Sequence, residues 1–216
     1  MRQEGYWYGL PLLLISGGLL GFWARERGPF LLLGAVLFLV LAGLVLNFFR
    51  DPERSIPTLA QAIISPADGR VVQIVREDYE GRPVCRLSIF MSPLDVHVNR
   101  APIAGVLKEV AYRKGAFRVA MAEAASVENE QNVFTLEGEQ GRVVVKQIAG
   151  ILARRIVFWK RLGDSLERGE RVGMIKFGSR VDVLMEPDVA LSIKVGDHVR
   201  AGSSILGTSH TNSAIE

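Results

Sequence analysis

Gly141-Arg142-Val143-Val144-Val145-Lys146-Gln147-Ile148 is the stretch from which the fold class is read. Three consecutive valines and an isoleucine follow a glycine. β-Branched side chains are stiff at χ1 and pack well on a pleated surface, whereas a glycine ahead of them marks a turn. The same texture recurs in Gly69–Val75, Val84–Met91 and Ile151–Trp159. Short Val- and Ile-rich runs punctuated by glycine read as strands joined by tight turns. One helical stretch is predicted near Val119–Ala125, where alanines cluster around Met121. From about Ile63 onward the chain therefore reads as mainly β.

Upstream the pattern is different. Tyr6–Trp23 is 18 residues without a charge, and Phe30–Phe49 is another 20. Ala24-Arg25-Glu26-Arg27-Gly28-Pro29 separates them. Each run is near the length a helix needs to cross a bilayer core. Tyr6, Trp7, Tyr8 and Trp23 near the ends suit the headgroup zone. Pro11 and the glycines at 9, 17, 18 and 21 make the first run the weaker span. A cleaved signal peptide fits less well, because no small-residue cleavage site follows and a second apolar run comes at once. The expected division is a membrane-anchoring helical hairpin over residues 1–50 and a β-rich domain over 51–216. Arg50–Pro57, with two prolines, reads as a short polar linker.

The bulk properties agree with an apolar anchor on a polar domain. Hydrophobic residues make up 49% of the chain and the formal net charge is +3. The mean hydropathy is +0.22 and the pI about 9.2. A mild positive balance suits an anionic membrane surface. No zinc-finger spacing, RNP-like motif or long basic run supports nucleic-acid binding. The single cysteine, Cys85, excludes an intramolecular disulfide and reads as a small buried residue.

Two segments resemble one another: Gly163-Asp164-Ser165-Leu166-Glu167-Arg168-Gly169 and Gly196-Asp197-His198-Val199-Arg200-Ala201-Gly202. Each reads Gly-Asp, any residue, an aliphatic residue, a pair, then Gly. They are similar to the turns of biotinyl- and lipoyl-type barrel-sandwich hybrids; two unrelated surface turns are the competing explanation.

Three clusters carry candidate chemistry: Ser65-Pro66-Ala67-Asp68-Gly69, Met91-Ser92-Pro93-Leu94-Asp95-Val96-His97-Val98-Asn99-Arg100, and Lys176-Phe177-Gly178-Ser179-Arg180-Val181-Asp182. Singly, each has a bland reading as a turn or a structural residue. Together with Glu128-Asn129-Glu130-Gln131-Asn132 and Ala153-Arg154-Arg155-Ile156-Val157, and in this order, they resemble the phosphatidylserine decarboxylase family, more closely its short, archaeal-type branch. The resemblance runs from about Pro52 to Leu206.

That resemblance implies a proenzyme. Ser179 Oγ attacks the carbonyl carbon of Gly178, and an N-to-O acyl shift forms an ester. Elimination leaves dehydroalanine, and hydrolysis of its imine tautomer releases ammonia. A β chain of residues 1–178 and an α chain of 179–216 result, the latter capped by a pyruvoyl cofactor made from Ser179. The pyruvoyl ketone then forms a Schiff base with the amine of phosphatidylserine. Carbon dioxide leaves, and phosphatidylethanolamine is released.

The residue types suit this chemistry. The β-oxygen of serine is both nucleophile and, once acylated, part of a leaving group. Glycine before it leaves the attacked carbonyl unhindered. A hydroxyl needs a base, and His97 titrates nearest physiological pH. His97 is also the expected proton donor in turnover. Asp68 matches the family position for a carboxylate partner. Asp95 is the rival, since residues i and i+2 share one face of a strand. Long family members carry His-x-x-His here, and the second histidine position is Arg100 in this chain.

No metal is implied. The expected partners are phosphatidylserine in the membrane and the enzyme's own two chains, with higher oligomers left open. The enzyme assignment places the domain on the cytoplasmic side of the cell (inner) membrane. The alternatives are a non-catalytic membrane-tethered adaptor with a biotinyl- or lipoyl-like domain, and a pyruvoyl lyase acting on a soluble amino acid.

Overall fold

A computed structural model describes residues 1–115, 128–150, 155–176 and 179–209. The helical stretch expected over Val119–Ala125 lies outside the described residues. The chain divides into two compact units, residues 1–52 and 53–216.

The first unit is a helical hairpin of α1 (Gln3–Glu26) and α2 (Pro29–Phe48). The reversal is local. Arg27 takes a left-handed conformation at φ 54° and its N–H reaches the Trp23 carbonyl at 2.8 Å, closing α1. Pro29 then opens α2 at its first turn, where a missing N–H costs nothing. Pro11 sits inside α1 without ending it. Gly9, which weakened the prediction for this helix, lies against α2: a Cβ there would stand 2.6 Å from Leu46. Ser16 Oγ donates to the Ala35 carbonyl at 2.8 Å, a second tie between the helices. Both helices are long and apolar enough to cross a membrane, with mean hydropathy 1.4 and 2.8. Their large side chains, Trp7, Leu14, Phe22 and Phe30 among them, point outward.

The second unit is built of strands: β1 (Ala62–Ile64), β2 (Gly69–Tyr79), β3 (Arg82–Met91), β4 (Val98–Arg100), β5 (Gly105–Arg113), β6 (Gln131–Gly138), β7 (Gly141–Ala149), β8 (Arg155–Phe158), β9 (Ser165–Leu166), β10 (Arg171–Lys176), β11 (Ser179–Met185), β12 (Ala190–Leu191), β13 (His198–Val199) and β14 (Ile205–Thr208). Eight of them form one curled sheet in the order β13-β2-β3-β11-β7-β6-β5-β9. Two three-stranded sheets, β1-β14-β12 and β4-β10-β8, accompany it. The chain is thus mainly β behind an apolar helical hairpin, as the Val- and Ile-rich runs predict.

Alternation along the central strands makes the core. Val181, Val183 and Met185 of β11 pack with Leu87, Ile89 and Met91 of β3, and with Val143 and Val145 of β7. The pairings Ser179 with Met91, Val181 with Ile89 and Val183 with Leu87 hold this register. Phe134 and Leu136 of β6 extend the same face. Cys85 is buried, as expected.

The two similar heptads have the same construction. Each begins and ends on a glycine with positive φ: Gly163 and Gly169 in one, Gly196 and Gly202 in the other. In each, the aspartate accepts the N–H three residues earlier, Asp164 from Arg161 at 2.8 Å and Asp197 from Lys194 at 3.0 Å. Their aliphatic residues, Leu166 and Val199, are buried in the core. The two-residue strands they contain, β9 and β13, cover the two opposite edges of the eight-stranded sheet. Short edge strands of this kind leave little unpaired backbone for another chain to join.

Candidate active site

Ser179 opens β11, the fourth strand of eight, between Met91 of β3 and Ala149 of β7. It is fully buried, on the core side of the sheet. Its Oγ donates to Met91 Sδ at 3.3 Å. A thioether is a weak acceptor, so the hydroxyl is held in place without being tied to a strong partner. Phe177 and Gly178, the other half of the expected scissile bond, lie outside the described residues.

The three sequence clusters meet here. Asn99 Nδ2 lies 3.9 Å from Met91 Sδ and 3.4 Å from the Pro66 carbonyl. The Arg100 N–H reaches the same carbonyl at 2.9 Å. The Ser65–Gly69 turn, β4 and the start of β11 are therefore joined through Pro66, Asn99 and Met91. Gly69 permits part of this closure. It sits at φ 151°, and a Cβ there would stand 2.2 Å from the Phe90 carbonyl of β3.

Behind Met91 runs a buried amide chain. Asn132 Nδ2 donates to Gln147 Oε1 at 2.9 Å, and Gln147 Nε2 donates to Asn99 Oδ1 at 2.8 Å. All three side chains are on the core face and buried. Buried amides are costly unless bonded, and here Asn132 donates to Gln147 and Gln147 to Asn99.

His97 is fully buried just before β4. Its Nδ1 lies 2.9 Å from the main-chain carbonyl of Asp95. A carbonyl only accepts, so Nδ1 carries the proton, and in the neutral ring Nε2 keeps the lone pair that a base needs. The oxygen on Nδ1 is thus Asp95's backbone, not its carboxylate. The carboxylate turns back to the Ser92 N–H at 2.8 Å and lies 3.8 Å from His198 Nε2. Residues 92–97 form a turn, and β4 begins only at Val98. The strand rule that would place Asp95 and His97 on one face does not operate there.

Asp68 is buried in the second turn of the site. Its Oδ2 accepts from Arg54 Nη2 at 2.7 Å and its Oδ1 from the Ala201 N–H at 2.8 Å. Burial pushes the Asp68 carboxyl above its ordinary range, against the pull of the Ala201 N–H and Arg54, and the Asp95 charge adds to the rise. Arg100 is buried, and its Nη1 donates to the Gly169 carbonyl at 2.9 Å, binding β4 to the first glycine-bounded turn.

Sequence reasoning gave no role to Met91, Asn99, Gln147 or Arg54. Gln147 and Asn99 did leave a trace, as uncharged polar residues in runs otherwise fit for a core. Arg54 lies in the Arg50–Pro57 segment that reads as a linker and leaves none.

Comparison with known proteins identifies the family. Residues 41–207 match the model of the family described as phosphatidylserine decarboxylase. A phosphatidylserine decarboxylase proenzyme of Solibacter usitatus is 46% identical over 204 residues, covering 94% of each chain. One from Salinibacter ruber is 50% identical over 182 residues, 81% of this chain and 80% of its own. One from Syntrophotalea carbinolica is 42% identical over 205 residues, 91% of this chain and 96% of its own. The chain belongs to the phosphatidylserine decarboxylase family.

Proposed function

We propose that this chain is the proenzyme of a membrane-bound phosphatidylserine decarboxylase, which cuts itself between Gly178 and Ser179 and then converts phosphatidylserine to phosphatidylethanolamine and carbon dioxide. The observation that carries the reading is the burial of Ser179 Oγ against Met91 Sδ, where the three sequence clusters converge. Family membership leaves the adaptor alternative without support.

Ser179 Oγ is the nucleophile. His97, with Nδ1 committed to the Asp95 carbonyl, presents Nε2 as the base that takes the hydroxyl proton. Burial excludes water that would compete for the acyl group. Asp68, paired with Arg54, is the carboxylate assigned to balance the charge of a protonated His97.

A pyruvoyl group derived from Ser179 fits its surroundings. The position is dry, flanked by Met91 and Ala149, and backed by the Asn99–Gln147–Asn132 amides, with no charged side chain of β11 on that face. Once formed, the group supplies an electron sink for decarboxylation. His97 returns a proton to the substrate carbon after carbon dioxide departs.

The two products stay together. Residues 179–209 contribute β11 to the middle of the large sheet, β13 to its edge, and β12 and β14 to the sheet with β1. Removing them would break both ladders of β11 and open the core, so the α and β chains form a lasting heterodimer. The hairpin of residues 1–50 holds the enzyme at its lipid substrate, with the domain on the cytoplasmic side of the inner membrane.

Denaturing mass measurement of the purified protein tests the cut, and an assay of phosphatidylserine against free serine tests the substrate. A fragment spanning 179–216 with a blocked N-terminus, and carbon dioxide from the lipid alone, are expected. An active preparation containing only intact chain would refute the reading.

A further inference from the structure

Residues 53–62, which begin inside the Arg50–Pro57 segment read from sequence as a linker, are strapped to the β domain at several points. Glu53 pairs with Arg171 at 2.7 Å. The Arg168 guanidinium gathers the carbonyls of Pro57, Leu59, Ala60 and Ala62 at 2.6–3.1 Å. Ile56 fills the space above Gly169 and Gly202, where added Cβ atoms would stand 2.3 and 3.2 Å from it. Between these fastenings Arg54 turns inward, its side chain 12% exposed, and takes the Asp68 carboxylate at 2.7 Å.

Stability alone is a poor reason for such a pair. Taking both charges out of water offsets most of their attraction, and an apolar pair of similar size often does as well. What the pair achieves is placement. Asp68 is held by Arg54 on one oxygen and by Ala201 on the other, and its turn is tied to β4 through Pro66.

We propose that Arg54 is a positioning residue for the Ser179 site, holding Asp68 as an oriented carboxylate so that self-cleavage depends on residues 53–62 being docked. This rests on the proenzyme reading given above. Arg54 is the cation that countercharges Asp68 from this segment. Asp95, from the 92–97 turn, opposes it, and His198 faces Asp95 on its far side. His97 precedes β4, and Arg100 borders the Gly202 turn. With Arg54 neutralised, burial and Asp95 both favour the protonated acid. Asp68 then ionises only at higher pH.

The test uses the full-length chain in detergent, freshly made, with the appearance of the 179–216 fragment timed from acid to alkaline pH. Arg54→Gln should slow the cut at neutral pH, by about tenfold where the carboxyl of the variant titrates one unit above the assay pH. Its pH profile should move to the alkaline side, so that raising the pH recovers the rate. Arg54→Lys, which keeps the charge, should restore most of the neutral rate. Thermal midpoints are measured alongside. If Arg54→Gln cuts with the wild-type rate and pH profile, the proposal fails. If it slows equally at every pH in step with a lowered midpoint, the role is structural and the proposal fails as well. Wild-type chain that yields no fragment would instead sink the proenzyme reading, which keeps the two failures apart.

Discussion

The two faces of β11 are both buried and chemically opposite. On one face Ser179 is followed by Val181, Val183 and Met185, all in the apolar core. On the other, Arg180 and Asp182 bond to each other at 2.6 Å and 3.2 Å. Arg180 also donates to Ser88 at 2.8 Å, and Arg86 Nη1 lies 3.8 Å from Asp182. Gly-Ser-Arg-Val-Asp is one motif in sequence, yet the pleat divides it into a reacting face and an anchoring face. In the proposed reaction the serine works where few dipoles compete for it. The ions beside it hold the strand that has to stay in place after the proposed cut.

Ser179→Ala tests the division most severely. It should abolish the 179–216 fragment and all decarboxylation, while the unfolding midpoint stays near that of the wild type. A methyl group among Met91 and Ala149 leaves no polar atom stranded. A large loss of stability would show that the serine anchors the fold, and the contrast between the faces would collapse.

Asp182→Ala is the mirror experiment. It takes from Arg180 the carboxylate that both its Nε and Nη2 bond. Breaking a buried pair on one side costs about 3–5 kcal/mol. Denaturant unfolding of the detergent-solubilised chain should show that loss. A cost below about 1 kcal/mol, the range of exposed pairs, would mean that this face is wetter than its burial implies.

Gln147→Leu falls between these. It strips Asn99 Oδ1 of its donor and Asn132 Nδ2 of its acceptor, at a cost of about 1–3 kcal/mol for groups left buried. Because Asn99 touches Met91, the cut should also slow. Unchanged cleavage at reduced stability would confine the amide chain to packing.

These contrasts show what a sequence can and cannot carry. Periodicity is local, so Gly69–Val75, Val84–Met91 and Gly141–Ile148 announced themselves as strands, and the 18- and 20-residue uncharged runs as helices. Turn chemistry is local too, which is why the two Gly-Asp heptads were legible, though not that they close opposite edges of one sheet. Partners across the fold are not local. Ser179 meets Met91 from 88 positions away, Gln147 meets Asn99 from 48, and Ala201 meets Asp68 from 133. Nothing in a linear pattern marks such pairs. The turn at 92–97 misled for a related reason: Asp-Val-His-Val alternates like a strand, but Ser92-Pro93 and the Asp95 side chain curl the backbone before β4 begins.

The smallest effect comes from the solvent end of the anchoring face. There Arg142 of β7 bonds Glu80 at 3.1 Å and Glu109 at 3.3 Å, with the two carboxylates half exposed or more. The residue types resemble those at Arg180 and Asp182, but water replaces the core around them. The Arg142 hydrogen bond holds the Glu80 carboxyl below its ordinary value of 4.5, against a small opposing effect of burial. A carboxyl with a lowered folded pKa stabilises the protein above its unfolded value, and that contribution disappears as pH falls through the folded one. Glu80→Gln should therefore cost at most about 1 kcal/mol at neutral pH. The difference from wild type should shrink toward zero in acid below that value, and salt should shrink it at neutral pH. Asp182→Ala should respond to salt far less, since its partner is out of reach of counterions. A Glu80 effect as large as that of Asp182 would mean that burial does not separate the two ends of this face.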